Sequence, residues 1–109
     1  MNQTVFRSDA PNPMSVCQIT GEHYDLKAAF MILREKIMLR YAMLCRGEKE
    51  ILRRDYFRKL YRMMDFFPYK DASGVFLAKI EDVEPIGTLV LRLENGELRK
   101  YAFKEVSFV

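Results

Sequence analysis

The stretch from Thr88 to Phe103, TLVLRLENGELRKYAF, decides the fold. Two short β-prone runs, Thr88 to Leu93 and Leu98 to Phe103, flank Asn95-Gly96, the pattern of two strands joined by a tight turn. Asn-Gly is the strongest short-range hairpin signal, because a two-residue type I′ turn needs positive φ at both central positions. With those two residues as the loop, Leu93 faces Leu98, Arg92 faces Arg99, Val90 faces Tyr101 and Leu89 faces Ala102. Upstream, Val75 to Val83 is rich in β-branched and aromatic residues, and Pro85 and Gly87 punctuate its link to Thr88. Downstream, Val106 to Val109 supplies a last short strand that would close the sheet. Strands this short, joined by tight turns and too few for a sandwich, predict a small SH3-like β-barrel over residues 69–109.

Before Pro68 the period changes. Leu26, Ala29, Phe30, Leu33, Ile37, Tyr41 and Leu44 recur at intervals of three and four, one face of a helix. Asp25 is suited to cap its start and Gly47 to end it. A second helix opens near Glu48 and carries Ile51, Leu52, Tyr56, Leu60 and Met63 before Pro68 ends the pattern. The short link from Arg46 to Glu48 predicts an antiparallel helix pair. Residues 1–24, with Asn12 held between Pro11 and Pro13, read as an irregular or strand-like arm. Its apolar residues, among them Val5, Phe6, Met14, Val16 and Ile19, find no partner within the arm. The expected class is α+β: arm and helix pair over residues 1–68, barrel over residues 69–109.

A chain of 109 residues is enough for one ordinary domain or two small sub-units. With 50% hydrophobic residues against 30% charged, it lies outside the disordered class. The net charge of +3 comes from 18 basic and 15 acidic residues that are interspersed, so no broad field of one sign marks a nucleic-acid surface. The longest apolar runs fall far short of the ~20 residues that span a bilayer. Cys17 and Cys45 make neither a CxxC pair nor a disulfide framework, and Met1 opens no signal segment, which predicts a reducing, cytoplasmic setting.

Few residues suggest chemistry. His23, the only histidine, sits in a Gly-Glu-His-Tyr turn and reads as a turn residue, since no nucleophile has suitable spacing to it. The cysteines read as small apolar residues and the helical methionines as packing or interface residues. Arg53, Arg54, Arg58, Lys59 and Arg62, interleaved with Tyr56, Phe57 and Tyr61, have the residue types of a phosphate-and-base surface, but Glu48, Glu50, Asp55 and Asp65 interrupt it. Arg92 opposite Arg99 would make a small anion site, neutralised by Glu94 and Glu97. No phosphate loop and no metal-binding carboxylate cluster is present, so neither catalytic nor metal-ligating residues are assigned.

Three segments in order, Gly87-Thr-Leu-Val-Leu91, Glu94-Asn-Gly-Glu97 and Lys104-Glu-Val-Ser-Phe108, resemble the C-terminal domain of bacterial biotin protein ligases. Pro13-Met-Ser-Val16 through Thr20-Gly21, the helix opening at Asp25, Gly47 and Tyr56 to Arg62 follow the segments that link that family's catalytic domain to its barrel. Met1-Asn-Gln3 looks like the residues just after its Gly-Ile-Gly-x-Asn strand. The resemblance implies that the complete protein joins biotin to ATP, with magnesium, as biotinyl-5′-adenylate and transfers biotin to a lysine of a biotin carboxyl carrier protein. The family's Gly-Arg-Gly-Arg-x-x-Arg-x-Trp and Lys-Trp-Pro-Asn segments are absent, and the chain has no tryptophan. It therefore reads as a C-terminal fragment, inactive alone and without a cofactor of its own. Glu105 matches the terminal-motif glutamate and, with Lys104, is the candidate facing nucleotide and carrier. Lys104 stands where the family usually has Gly, and Phe108 where it usually has Leu. The orphaned apolar arm predicts a homodimer of the fragment. The competing reading is a stand-alone helix plus SH3-like module that binds RNA or a protein through the second helix.

Overall fold

The β-branched and aromatic runs after Pro68 become a sheet, and the period-3.6 pattern before it becomes helix. A computed structural model describes all 109 residues and shows an α+β fold. In chain order the elements are α1 (Val16–Thr20), α2 (Leu26–Cys45), α3 (Lys49–Lys59), β1 (Phe67–Asp71), β2 (Gly74–Val83), β3 (Leu89–Leu93), β4 (Leu98–Tyr101) and β5 (Ser107–Phe108). The chain forms two compact units, Met1–Leu52 and Arg53–Val109. The division falls earlier than the Pro68 break, because Leu60 and Met63 pack on the sheet's core. The division falls within α3, the second member of the expected helix pair.

In the second unit five antiparallel strands lie in the order β4-β3-β2-β1-β5. Partner pairs Tyr69–Phe76, Ala78–Leu93, Ile80–Leu91 and Leu89–Tyr101 put their side chains on one face, which is the core. Tyr69 and Leu91 are fully buried, and each such side chain contributes about 2 kcal/mol of hydrophobic stabilisation. A register shift between Ile80 and Asp82 lets the long β2 bend around this core.

The SH3-like barrel is not closed. β4 and β5 occupy opposite edges, and the two-residue β5 reaches only β1. β1 itself was hidden in the sequence by Pro68, which reads as a breaker. Proline lacks an N–H, but its carbonyl is used: the Val109 amide donates to it at 3.4 Å.

The central hairpin exists, with a different loop from the one expected. Leu89 pairs with Tyr101, Val90 with Lys100, Leu91 with Arg99 and Arg92 with Leu98, one residue out from the expected register. The loop is Glu94-Asn95-Gly96: the Gly96 amide donates to the Leu93 carbonyl at 2.9 Å, and the Leu93 amide to the Glu97 carbonyl at 2.8 Å. Only Gly96 has positive φ, at 85°, as in a type I turn followed by a glycine bulge. A one-residue slip turns every β4 side chain to the other face, and the observed register is the one that buries Tyr101 against Leu89.

In the first unit the arm contains a helix that its prolines obscured. Ser15 and Gln18 form a capping box: the Gln18 amide donates to Ser15 Oγ at 3.3 Å, and the Ser15 amide to Gln18 Oε1 at 3.0 Å. Asn2 fastens the arm by bracketing the backbone of Tyr24, donating to its carbonyl at 2.6 Å and accepting from its amide at 2.9 Å. Asp25 caps α2 by accepting from the Lys27 amide at 3.0 Å, and Gly47, with φ 78°, follows its end. α3 stops at Lys59, short of the expected Met63, and Arg62 then adopts φ 61°. No helix is long and apolar enough to cross a membrane.

Candidate functional site

The two residues singled out by the resemblance share one tight turn between β4 and β5. The Glu105 amide donates to the Ala102 carbonyl at 3.2 Å, and the Ala102 amide donates to Glu105 Oε2 at 2.7 Å. The carboxylate thus closes the turn on itself with a charge-assisted bond. Lys104, at its corner, has φ 68°, a left-handed conformation that favours glycine. The turn projects Phe103, 88% exposed, with the Lys104 ammonium 5.3 Å from its ring centre. This gives an exposed cation and an exposed aromatic on a backbone fixed by Glu105.

Beside β5, Arg62 makes a cluster that sequence spacing did not disclose. Its guanidinium lies 5.1 to 5.9 Å from the rings of Tyr61, Phe67, Tyr69 and Phe108. It donates to the Pro68 carbonyl at 2.9 Å and to the Val109 carbonyl at 3.0 Å, tying the end of α3's connection to both β1 and β5. Arg62 Nε and the Tyr69 hydroxyl are buried without a partner, and burial pushes the Tyr69 phenol up from its ordinary value. The left-handed φ at Arg62 turns it away from the outer basic surface on which the sequence placed it.

A third group joins strands across the sheet. Asp71 accepts from the Ser73 amide at 2.8 Å, the Ser73 hydroxyl at 2.6 Å and the Tyr101 hydroxyl at 2.6 Å, with Arg99 at 3.6 Å. The Ser73 hydroxyl bond first, and then that of Tyr101, hold its carboxyl at about 2. Arg99 also lies over the Phe76 ring at 5.2 Å.

The anion site expected from Arg92 and Arg99 does not form. In the observed register they project from opposite faces of the sheet, Arg92 to Glu81 at 2.8 Å and Arg99 to Glu97 at 2.9 Å. On α3, Arg53 is held by Asp82 at 2.6 Å and stacks on Phe57, while Arg54 and Arg58 each lie 3.9 Å from Asp55. Carboxylates therefore compete at three of the five cations that a nucleic-acid surface would use. Cys17 is half-buried, Cys45 is exposed, and no three His, Cys, Asp or Glu side chains come together as a metal site.

No family model, no curated protein and no solved structure matches the chain.

Proposed function

We infer that this chain supplies the C-terminal part of a biotin protein ligase, the part that closes over the nucleotide end of the active site and receives the carrier domain. The observation that carries the reading is the conformation of Lys104. Residue order alone aligned this position with the family's glycine, and it is here that the backbone takes φ 68°. The neighbouring Glu105 supports the reading, because its carboxylate accepts from the Ala102 amide and so organises the turn. The order of elements supports it too: arm, helices, then a small antiparallel sheet.

In the complete enzyme biotin and ATP would combine to biotinyl-5′-adenylate with loss of pyrophosphate, and biotin would then pass to a carrier lysine with release of AMP. Such a reaction depends on positioning and on stabilising developing phosphate charge. In this chain Glu105 would fix the lid turn, and Lys104 would offer its ammonium toward the nucleotide or the carrier. Nothing here fits the magnesium ion, since no acidic cluster is formed, and no step is derived through it. The reading places the protein in the cytoplasm, with the biotin carboxyl carrier protein as partner.

The test is a chimera in which this chain replaces the C-terminal part of a bacterial biotin protein ligase after its Gly-Ile-Gly-x-Asn strand. The expected result is a chimera that biotinylates the carrier protein. Glu105→Ala is expected to lower the rate about tenfold, the equivalent of one charge-assisted hydrogen bond, with Glu105→Gln less affected. A chimera that melts cooperatively yet labels no carrier would overturn the reading.

A further inference from the structure

The Arg62 cluster is a cage of four aromatic rings with a cation already inside it. Tyr69, fully buried, is its floor, while Tyr61 and Phe108, 67% and 53% exposed, stand at its mouth. The rings brace one another. Tyr61 meets Phe108 edge to face with centroids 5.9 Å apart, and Phe108 meets Tyr69 at 5.4 Å. All four lie close enough to the guanidinium for cation–π attraction. The Pro68 and Val109 carbonyls accept from it, and the Tyr69 hydroxyl, buried with them, has no partner at all. Burial raises the Tyr69 phenol most, the Arg62 cation lowers it and the Tyr61 phenol raises it, so this hydroxyl lies near both.

Arg62 occupies the cage under strain. Its backbone is held at φ 61°, where a Cβ is crowded, and its Nε is buried without an acceptor. A guanidinium arriving from elsewhere has no such backbone constraint and is free to turn an N–H toward the unpartnered Tyr69 hydroxyl. Arg62 holds the opposite advantage of its tether, which gives it a high effective concentration at the cage. The acceptors decide what kind of guest fits. Four rings call for a cation, and two carbonyls with a hydroxyl call for several donors held in a plane. A guanidinium has five N–H groups in that arrangement. An ammonium is a compact, strongly hydrated charge, and a quaternary ammonium donates nothing.

We propose that this cage is a binding site for the guanidinium of an external arginine, closed in the free chain by Arg62, which swings out as the guest enters. On leaving, Arg62 relaxes its backbone and wets its Nε. The guest takes over the Pro68 and Val109 carbonyls and adds the Tyr69 hydroxyl. None of these residues belongs to the Lys104–Glu105 turn, so the site neither requires the ligase reading nor falls with it.

Two probes of the same chemistry distinguish its source: free arginine, and the arginine of a short neutral peptide blocked at both ends. NMR of the full native chain reads the site at constant ionic strength. As probe is added, the Arg62 Nε–H, shielded in the free chain, should begin to exchange rapidly, and the Tyr69 and Phe108 ring signals should shift. Tighter binding of the peptide assigns the guest to a protein segment, and equal binding to a small molecule. In Arg62→Ala, which lacks the tethered competitor, both probes should bind at least about tenfold more tightly and raise the melting temperature. The lysine counterparts should bind at least about tenfold more weakly, and tetramethylammonium more weakly still. Tyr69→Phe should leave the free chain as stable as the native one, because the hydroxyl has no partner there, yet weaken the arginine probes about fivefold, the equivalent of one hydrogen bond. A native chain whose Arg62 Nε–H stays shielded up to about 0.1 M of either probe would overturn the proposal, whether or not the alanine variant folds. A folded Arg62→Ala chain that binds arginine no better than lysine would overturn it as well.

Discussion

The Tyr101 hydroxyl donates to Asp71 Oδ2 across 2.6 Å, tying the last residue of β4 to the last residue of β1. Neither strand pairs with the other in the sheet, so this bond links parts of an open sheet that the backbone ladder does not join. Stacked contacts from Phe76 to Tyr101 and from Tyr69 to Phe76 fill the space beneath it.

Asp71 should therefore titrate low. Its folded carboxyl lies at about 2, below the ~3.9 of an unfolded aspartate, so its stabilisation is fully present above about pH 4 and is lost as pH falls toward 2. Tyr101→Phe should raise the Asp71 value and move acid unfolding to higher pH. Carboxyl NMR across pH 1 to 5 reads both; an Asp71 titration that does not move in the variant would show that the bond is not formed in solution.

The hairpin register gives a second expectation. Gly96 alone needs positive φ, so Gly96→Val should lower stability by about 1 kcal/mol or more. Asn95→Ala should cost less, because it removes only the exposed bond from the Glu97 amide to Asn95 Oδ1. Equal losses at the two positions in thermal melts would instead favour a two-residue type I′ turn.

Arg62 is expected to act as a structural clamp. Arg62→Ala removes two bonds from a charged donor and its contact with four rings, and should cost about 2 kcal/mol or more. Arg62→Lys should restore little, because one ammonium cannot reproduce the guanidinium fork. Hydrogen exchange should quicken first at Val109, whose amide is bonded to Pro68.

Much of this architecture was legible in the sequence. The Asp25 cap, the Gly47 stop and the strands around Asn95-Gly96 all stand where local chemistry put them. The register did not follow from sequence, because Asn-Gly serves a two-residue and a three-residue loop equally well and only the burial of Tyr101 decides between them. α1 was legible from Ser15 and Gln18, whose spacing is that of a capping box, but the surrounding prolines masked it. The Arg62 cluster was not legible at all. Its inward course depends on one left-handed residue after α3, and periodicity carries no trace of that.

The last expectation concerns the turn on which the functional reading depends. Lys104 holds φ 68° with a side chain whose Cβ crowds the following carbonyl, so the conformation costs about 1 to 2 kcal/mol relative to glycine. Glu105 opposes that cost from within the turn by accepting the Ala102 amide at 2.7 Å. Lys104→Gly should accordingly raise stability, by about 0.5 to 1 kcal/mol after glycine's greater freedom in the unfolded chain is counted. Lys104→Val should lower it, since a β-branched side chain tolerates this region worst. Glu105→Ala should be more damaging with lysine at 104 than with glycine there, because the lysine turn depends more on the carboxylate, and a double-mutant cycle measures that coupling directly. Melts in which Lys104→Gly is neutral or destabilising would mean that this turn is not left-handed in solution, and the ligase reading would then lose the observation on which it rests.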